Sequence, residues 1–194
     1  MSKLSVDETP NQKRTRSIDA NGIIEWEPDY EEKELIKLTW SDDFNFLYEL
    51  GANIYCYIFE RMPECKALFP KIHKHGDENY QESSEFRSQS LKFVQTLSHA
   101  VKNLYNMRDL AVYLHSIGQM HVKFSERGFK PKHWDIFLDA IETSLAEKIA
   151  SIEQFDEEQR QKATRVWRRL SFFIVIHMKR GYNEKIAQRR STIN

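Results

Sequence analysis

The chain has little that would punctuate a sheet protein. Its 194 residues include only 6 glycines and 5 prolines, too few turn-formers for many short strands. Long helices are therefore the expected architecture. Only two cysteines, Cys56 and Cys65, are present, so no disulfide framework is expected, and an intracellular, reduced protein is the default. An excess of charge of one sign is missing as well. Lys plus Arg equals Asp plus Glu at 29 each, which argues against a dedicated nucleic-acid binder, whose affinity rests on neutralising phosphates. No apolar run approaches the roughly 20 residues of a membrane helix, so no membrane span is expected. The opening Met-Ser-Lys-Leu-Ser has no apolar signal core, and Ser2 stands where N-myristoylation needs glycine. A cytoplasmic location is the expectation.

What is present is ordinary for one soluble domain: 40% hydrophobic and 30% charged residues. Residues 1–30 are polar and aperiodic and read as a disordered arm. Within the arm, Arg14 stands three residues before Ser17, which resembles a basophilic kinase site; the alternative is a plain solvated tail. From Glu31 the pattern turns helical, with Leu35, Leu38, Phe46 and Leu50, then an apolar stretch from Ile54 to Phe59. Pro63 suits the first turn of a new short helix. Residues 71–83 read as a loop. Ser83 or Ser84 can cap a helix whose stripe is Phe86, Ser90, Phe93, Leu97, Val101 and Leu104. Asn106 begins the next helix, and Gly128 and Pro131 break the chain again. A further helix runs through Trp134, Phe137, Leu138, Ile141 and Leu145. The last helix spans Asp156 to about Lys179, with Val166, Leu170, Phe173, Ile174 and His177 on one face. The reading is all-α, with six to eight helices, one domain at 31–182 and a polar basic tail at 183–194.

Three polar groups interrupt these stripes. Leu110, Leu114, Ile117 and His121 share one helical face. An imidazole there is a neutral core group with a partner, or it holds something. Gln89 leans toward the apolar face of Phe86 and Phe93, where an unpaired amide is costly. Tyr55 lies among Ile54, Cys56, Ile58 and Phe59, and its hydroxyl needs a partner too. These three are either unrelated core polars with local partners, or they share one polar object. An iron porphyrin with a diatomic ligand would be such an object: the iron takes an imidazole, and the gas takes hydrogen bonds from the other side.

The segment from Gly51 to Pro70, GANIYCYIFERMPECKALFP, resembles the second and third helices of globins, with Pro63 six residues before Phe69. Residues 113–121, YLHSIGQMH, resemble the stretch leading to the globin proximal histidine. Trp40 matches the family's first-helix tryptophan. The likeness covers roughly residues 33–180 and is nearest in flavour to intracellular invertebrate, nematode-type globins. It implies a globin fold enclosing haem b (iron protoporphyrin IX). By this resemblance His121 ligates the iron, Gln89 takes the distal place 32 residues earlier, Tyr55 overhangs the bound ligand, and Phe69 stacks on the haem. Phe93 and Phe129 also border the cofactor. Phe93 stands where the family usually has a smaller aliphatic residue, which crowds the ligand side. The link from His121 to Gly128 and Phe129 is longer than usual.

The function implied is reversible binding of dioxygen and other diatomic gases. Tyr55 and Gln89 act as two donors worth about 1–1.5 kcal/mol each, slowing oxygen release by one to two powers of ten. Glutamine is a poor iron ligand, so a bis-histidyl state is not expected. The alternatives are nitric oxide dioxygenase or peroxidase activity supported by a reductase, a haem redox or gas sensor signalling through Lys179, Arg180, Arg189 and Arg190, and a haem-free helical bundle. Among the other histidines, His73, His75 and His133 read as solvated, and His177 as a core residue.

Overall fold

The computed structural model describes residues 20–193. Among them are nine α-helices, three 3-10 helices and no strand. The helices are α1 Ala20–Ile24, α2 Tyr30–Leu38, α3 Phe44–Arg61, α4 Pro70–His73, α5 Gly76–Asn79, α6 Ser84–Lys102, α7 Met107–His121, α8 His133–Ala150 and α9 Glu157–Ile193. The 3-10 helices are Pro63–Leu68, Tyr80–Glu82 and Val122–Arg127. None of the described helices is long and apolar enough to cross a membrane.

Local chemistry accounts for the helix starts. The Asp29 carboxylate accepts from the Glu32 amide at 2.8 Å, and Glu32 reaches back to the Asp29 amide at 3.0 Å, a capping box at α2. Asp43 caps α3 through the amides of Asn45 and Phe46. The Ser83 hydroxyl caps α6 by accepting from Phe86 at 3.1 Å. Pro63 opens the 3-10 turn after α3, where its missing N–H is no loss. Asp156 and Gln159 form a second reciprocal cap ahead of α9.

The helices stack in two groups joined by α8. One group is α3 against α6 and α8; the other is α9 against α7 and α8. The crossing of α7 and α9 is a backbone contact. A Cβ on Gly118 would lie 1.9 Å from the Met178 carbonyl oxygen, and one on Gly181 would lie 2.0 Å from that of His115. Only glycine on both helices permits this approach.

Several expectations need correction. The last helix does not end near Lys179 but continues to Ile193, so the basic tail expected from residue 183 is helical. Gly181 is a packing residue rather than a stop, and Glu184 beyond it is held by His115 at 2.8 Å. The arm expected over 1–30 is ordered from residue 20. Ile23 and Trp26 are buried, with the Trp26 ring 6.3 Å from Phe173 and the Arg169 guanidinium 4.9 Å from that ring. Two isolated apolar residues show no period, so the sequence pattern could not reveal this docking. Ser17 and the rest of 1–19 lie outside the described residues. The segment 71–83 carries single-turn helices. Trp40 follows α2 rather than lying within it, 5.6 Å from Trp167. His133 is 9% exposed, not solvated, and its Nδ1 accepts from the Lys130 amide at 3.1 Å.

Adding a methyl at the α7–α9 crossing must push the helices apart. Gly118→Ala is expected to cost about 1–3 kcal/mol, read as a fall in Tm of roughly 2–4 °C per kcal/mol. An unchanged melting curve by circular dichroism would mean the crossing yields freely.

The buried His177 reports on α1. Its Nε2 lies 3.3 Å from the Ile24 carbonyl. Burial pulls its pKa below the ordinary 6.5, opposed by that carbonyl and aided by Arg180 and His115. The unfolded chain therefore takes up a proton first as pH falls below 6.5, so this contribution to stability is complete above that pH and is lost as pH falls through the folded value. Urea unfolding at about pH 7.5 and about pH 5.5 should show lower stability at the acid pH, and His177→Gln should shrink the gap. The same gap in both proteins would remove His177 as its source.

Candidate functional site

The stripes of α3, α6 and α8 converge on Tyr55. Its side chain is 2% exposed and sits inside an aromatic shell. Ring centroids lie at 5.3 Å for Phe69, 5.7 Å for Phe59 and Phe137, 5.9 Å for Phe93 and 6.4 Å for Phe86. Most of these contacts are edge-to-face, the favoured geometry between ring quadrupoles. Gly51, one turn earlier on α3, makes the approach to α6 possible: a Cβ there would lie 2.5 Å from the Ser90 carbonyl oxygen. That proximity brings Gln89 to Tyr55.

The one polar contact in this shell has a direction. Gln89 Nε2 donates to the Tyr55 hydroxyl oxygen at 2.8 Å. Burial raises the Tyr55 pKa well above its ordinary 10.0, and the Gln89 hydrogen bond only partly offsets this. The phenol stays protonated, and its O–H remains available to a further acceptor. The sequence expectation of two independent donors is thereby refined. Gln89 spends one amide hydrogen on Tyr55, whose own O–H is left over.

A second cluster forms where α7 ends. His121 Nδ1 lies 2.8 Å from the Ile117 carbonyl oxygen. A carbonyl only accepts, so Nδ1 carries the proton and Nε2 presents its lone pair. Burial, with Lys123 nearby, pulls the imidazole pKa below its ordinary 6.5, against the Ile117 hydrogen bond. A neutral ring with a free Nε2 is the form that ligates a metal. The ring is held by Trp134 at 5.3 Å, Phe129 at 5.4 Å and Phe124 at 5.6 Å. Tyr182 of α9 locks this wall, donating its hydroxyl to the Phe129 carbonyl at 3.3 Å.

The helices carrying the two clusters form a hairpin. Near its loop the His99 and Tyr113 rings are 3.9 Å apart. Gln89 lies about 15 Å back along α6, and His121 about 12 Å onward along α7. At this far end Phe69, Gln89, Phe93 and His121 are all half-buried, whereas Leu97 and Leu114 nearer the loop are buried. Partly exposed aromatic side chains therefore lie near both Gln89 and His121. Among the described residues no three His, Cys, Asp or Glu side chains converge as ligands for an ion. His121 supplies a single donor, so it fits an iron whose other ligands come from a macrocycle. Aromatic surroundings with one imidazole donor suit a haem.

The candidate site residues fall into two groups. Tyr55, Gln89, Phe69 and Phe93 meet in one cluster, and His121 and Phe129 in the other. Trp134, Phe137 and Tyr182 were not recognised as site residues. Trp134 and Phe137 share a face of α8, but that spacing reads equally well as plain core. The cysteines are free, and burial pushes the Cys65 thiol up to about 11, which makes it unreactive.

Removing one partner of the buried pair should cost more than removing both. Gln89→Leu leaves the Tyr55 hydroxyl unpaired, an expected loss of about 1–3 kcal/mol. Tyr55→Phe with Gln89→Leu should cost less in denaturant unfolding. Strict additivity of the two single changes would show that the pair is uncoupled.

Comparison with known proteins agrees with this geometry. The family model described as Globin matches residues 52–174. The globin-related protein glb-13 of Caenorhabditis elegans is 28% identical over 142 residues, covering 73% of this chain and 47% of that protein. The chain thus spans about half the length of that relative. Cytoglobin-2 of Danio rerio is 23% identical over 154 residues, covering 79% of this chain and 82% of that one. The crystal structure of a hexacoordinated heme protein from an anhydrobiotic tardigrade superposes with a TM-score of 0.67 at 17% identity, covering 80% of this chain and 96% of that one. With a family match over residues 52–174, well over half of its length, this chain belongs to the globin family of haem-binding proteins.

Proposed function

We propose that this globin holds haem b through His121 and binds dioxygen reversibly beside Tyr55. The observation that carries the reading is the direction of the Gln89–Tyr55 hydrogen bond. A ferrous haem supplies an iron with one coordination position open to a diatomic gas. His121 Nε2 would hold that iron, its orientation set by the Nδ1–H bond to Ile117. Phe69 and Phe129 would flank the porphyrin. Tyr55 donates its O–H to the gas, and Gln89 positions and polarises the phenol. Phe93 and Phe137, 5.4 Å apart, exclude water and limit the size of the ligand. A donor favours dioxygen over carbon monoxide, which develops less negative charge when bound. Oxygen storage, delivery or sensing fits this arrangement better than turnover, which needs a separate reductase. The free thiols Cys56 and Cys65 accord with a cytoplasmic setting.

A second reading is a redox or gas sensor in which a protein side chain takes the sixth position. The tardigrade neighbour is a hexacoordinated heme protein, which supports this reading. Dithionite-reduced protein without ligand should give one broad visible band; sharp split bands would replace the oxygen-binding reading with the sensor.

Tyr55→Phe is expected to raise the oxygen dissociation rate roughly tenfold, the worth of one hydrogen bond. Gln89→Leu should raise it less, because the phenol remains. Stopped-flow displacement by carbon monoxide measures both. His121→Gly should lose the ordinary spectrum and recover it with added imidazole. Equal off-rates in wild type and Tyr55→Phe would overturn the distal assignment.

A further inference from the structure

On the outer side of the His121 wall lies a groove that the haem site does not use. It has a volume of about 520 Å³ and is lined by Ser125, Pro131, Tyr182, Ile186, Ala187 and Arg190, among others. That volume is within the roughly 300–1,000 Å³ of small-molecule sites. Tyr182, Ile186 and Arg190 share one face of α9. Along that face burial falls steadily: Tyr182 is buried, Ile186 half-buried and Arg190 exposed. The groove is therefore apolar at its floor and cationic at its mouth.

The surrounding charge is predominantly positive. Lys123 and Arg127 stand two residues either side of Ser125, Lys130 and Lys132 flank Pro131, and Arg189 precedes Arg190; against these six cations stand Glu126, beside Ser125, and Glu184, which His115 holds. Among the described residues no carboxylate forms an ion pair with any of these cations. The chain as a whole is neutral, so this concentration is local. It would attract an anion and repel a cation.

We infer that the groove between Val122–Pro131 and the C-terminal turns of α9 binds an amphipathic anion, with an acyl chain on Tyr182, Ile186 and Ala187 and a carboxylate or phosphate head at Arg190. The site is wired to the haem side. Tyr182, on its floor, donates to the Phe129 carbonyl, and its ring lies 5.7 Å from Phe129 and 5.9 Å from Trp134. Both of those rings contact His121. An occupant that shifts Tyr182 therefore shifts the wall holding the imidazole. This second part rests on the haem reading; the binding itself does not.

The experiment titrates monomeric laurate into the full-length protein, following heat by calorimetry and, separately, the Soret band and the oxygen dissociation rate. Dodecyltrimethylammonium, with the same chain and a positive head, is the control, and phosphatidylglycerol vesicles are the lipid-bound form of the same chemistry. The expected result is saturable one-to-one binding of laurate, about tenfold weaker in Arg190→Glu and about tenfold weaker for the cationic control. Tyr182→Phe should abolish the effect of bound laurate on the Soret band and on oxygen release. Capture by vesicles alone, abolished in Arg190→Glu, would assign the head to a membrane lipid and still support the site. No binding of either, or binding indifferent to Arg190→Glu, would overturn it. A protein that binds laurate yet takes up no haem would sink the haem reading and leave the groove standing.

Discussion

The contact between two backbones, where Gly118 of α7 lies against Met178 of α9 and Gly181 of α9 against His115 of α7, organises much of this molecule. It places the carbonyls of Met178 and His115 where any side chain would otherwise stand. Gly118 lies one turn before His121, and Tyr182 follows Gly181 directly. The crossing that pins the two helices therefore also sets the imidazole and the hydroxyl that braces its wall. Close approach without side chains leaves little freedom for α7 to slide or rotate, because backbone atoms cannot change rotamer. A ligand such as an imidazole needs that rigidity more than it needs affinity, since its lone pair must point in one direction.

Around Tyr55 the governing constraint is the cost of burying a phenol. A hydroxyl inside five aromatic rings is expensive unless it is hydrogen-bonded. Gln89 meets that requirement with a donor rather than an acceptor. As a result the phenol's own proton is not consumed by the protein. The same bond that makes Tyr55 tolerable in the core leaves it ready to donate. Stability and chemistry thus use opposite sides of one oxygen atom. The surrounding rings keep the pair dry, which strengthens any hydrogen bond made there.

The extension of α9 past the crossing changes how the whole is viewed. Its first turns close the wall behind His121, and its later turns carry cations away from the core along one face. The helix that supports the cofactor side thereby also forms one side of the basic groove. The two sites share Tyr182 as a common element, and a helix 37 residues long can serve both because its faces are presented to different neighbours along its length.

Much of this was legible from the residues in order. Stripe spacing exposed the long helices, the cap candidate Ser83 marked one start, and polar residues misplaced in apolar stripes pointed to Tyr55, Gln89 and His121. Those signals are local, set by helical periodicity and by the cost of an unpaired polar group. Trp134, Phe137 and Tyr182 were invisible as site residues, since an aromatic on a core-facing stripe looks the same whether it meets another side chain or a cofactor. The docking of Ile23 and Trp26, and the persistence of α9 through Gly181, were likewise hidden. A glycine reads as a helix stop until the backbone of another helix is found against it, as His115 is against Gly181. The sequence by itself determined the helices and named the polar atoms that demanded partners. Only the tertiary structure decided which partners they took, because direction and proximity across distant segments come from packing, which no local pattern encodes.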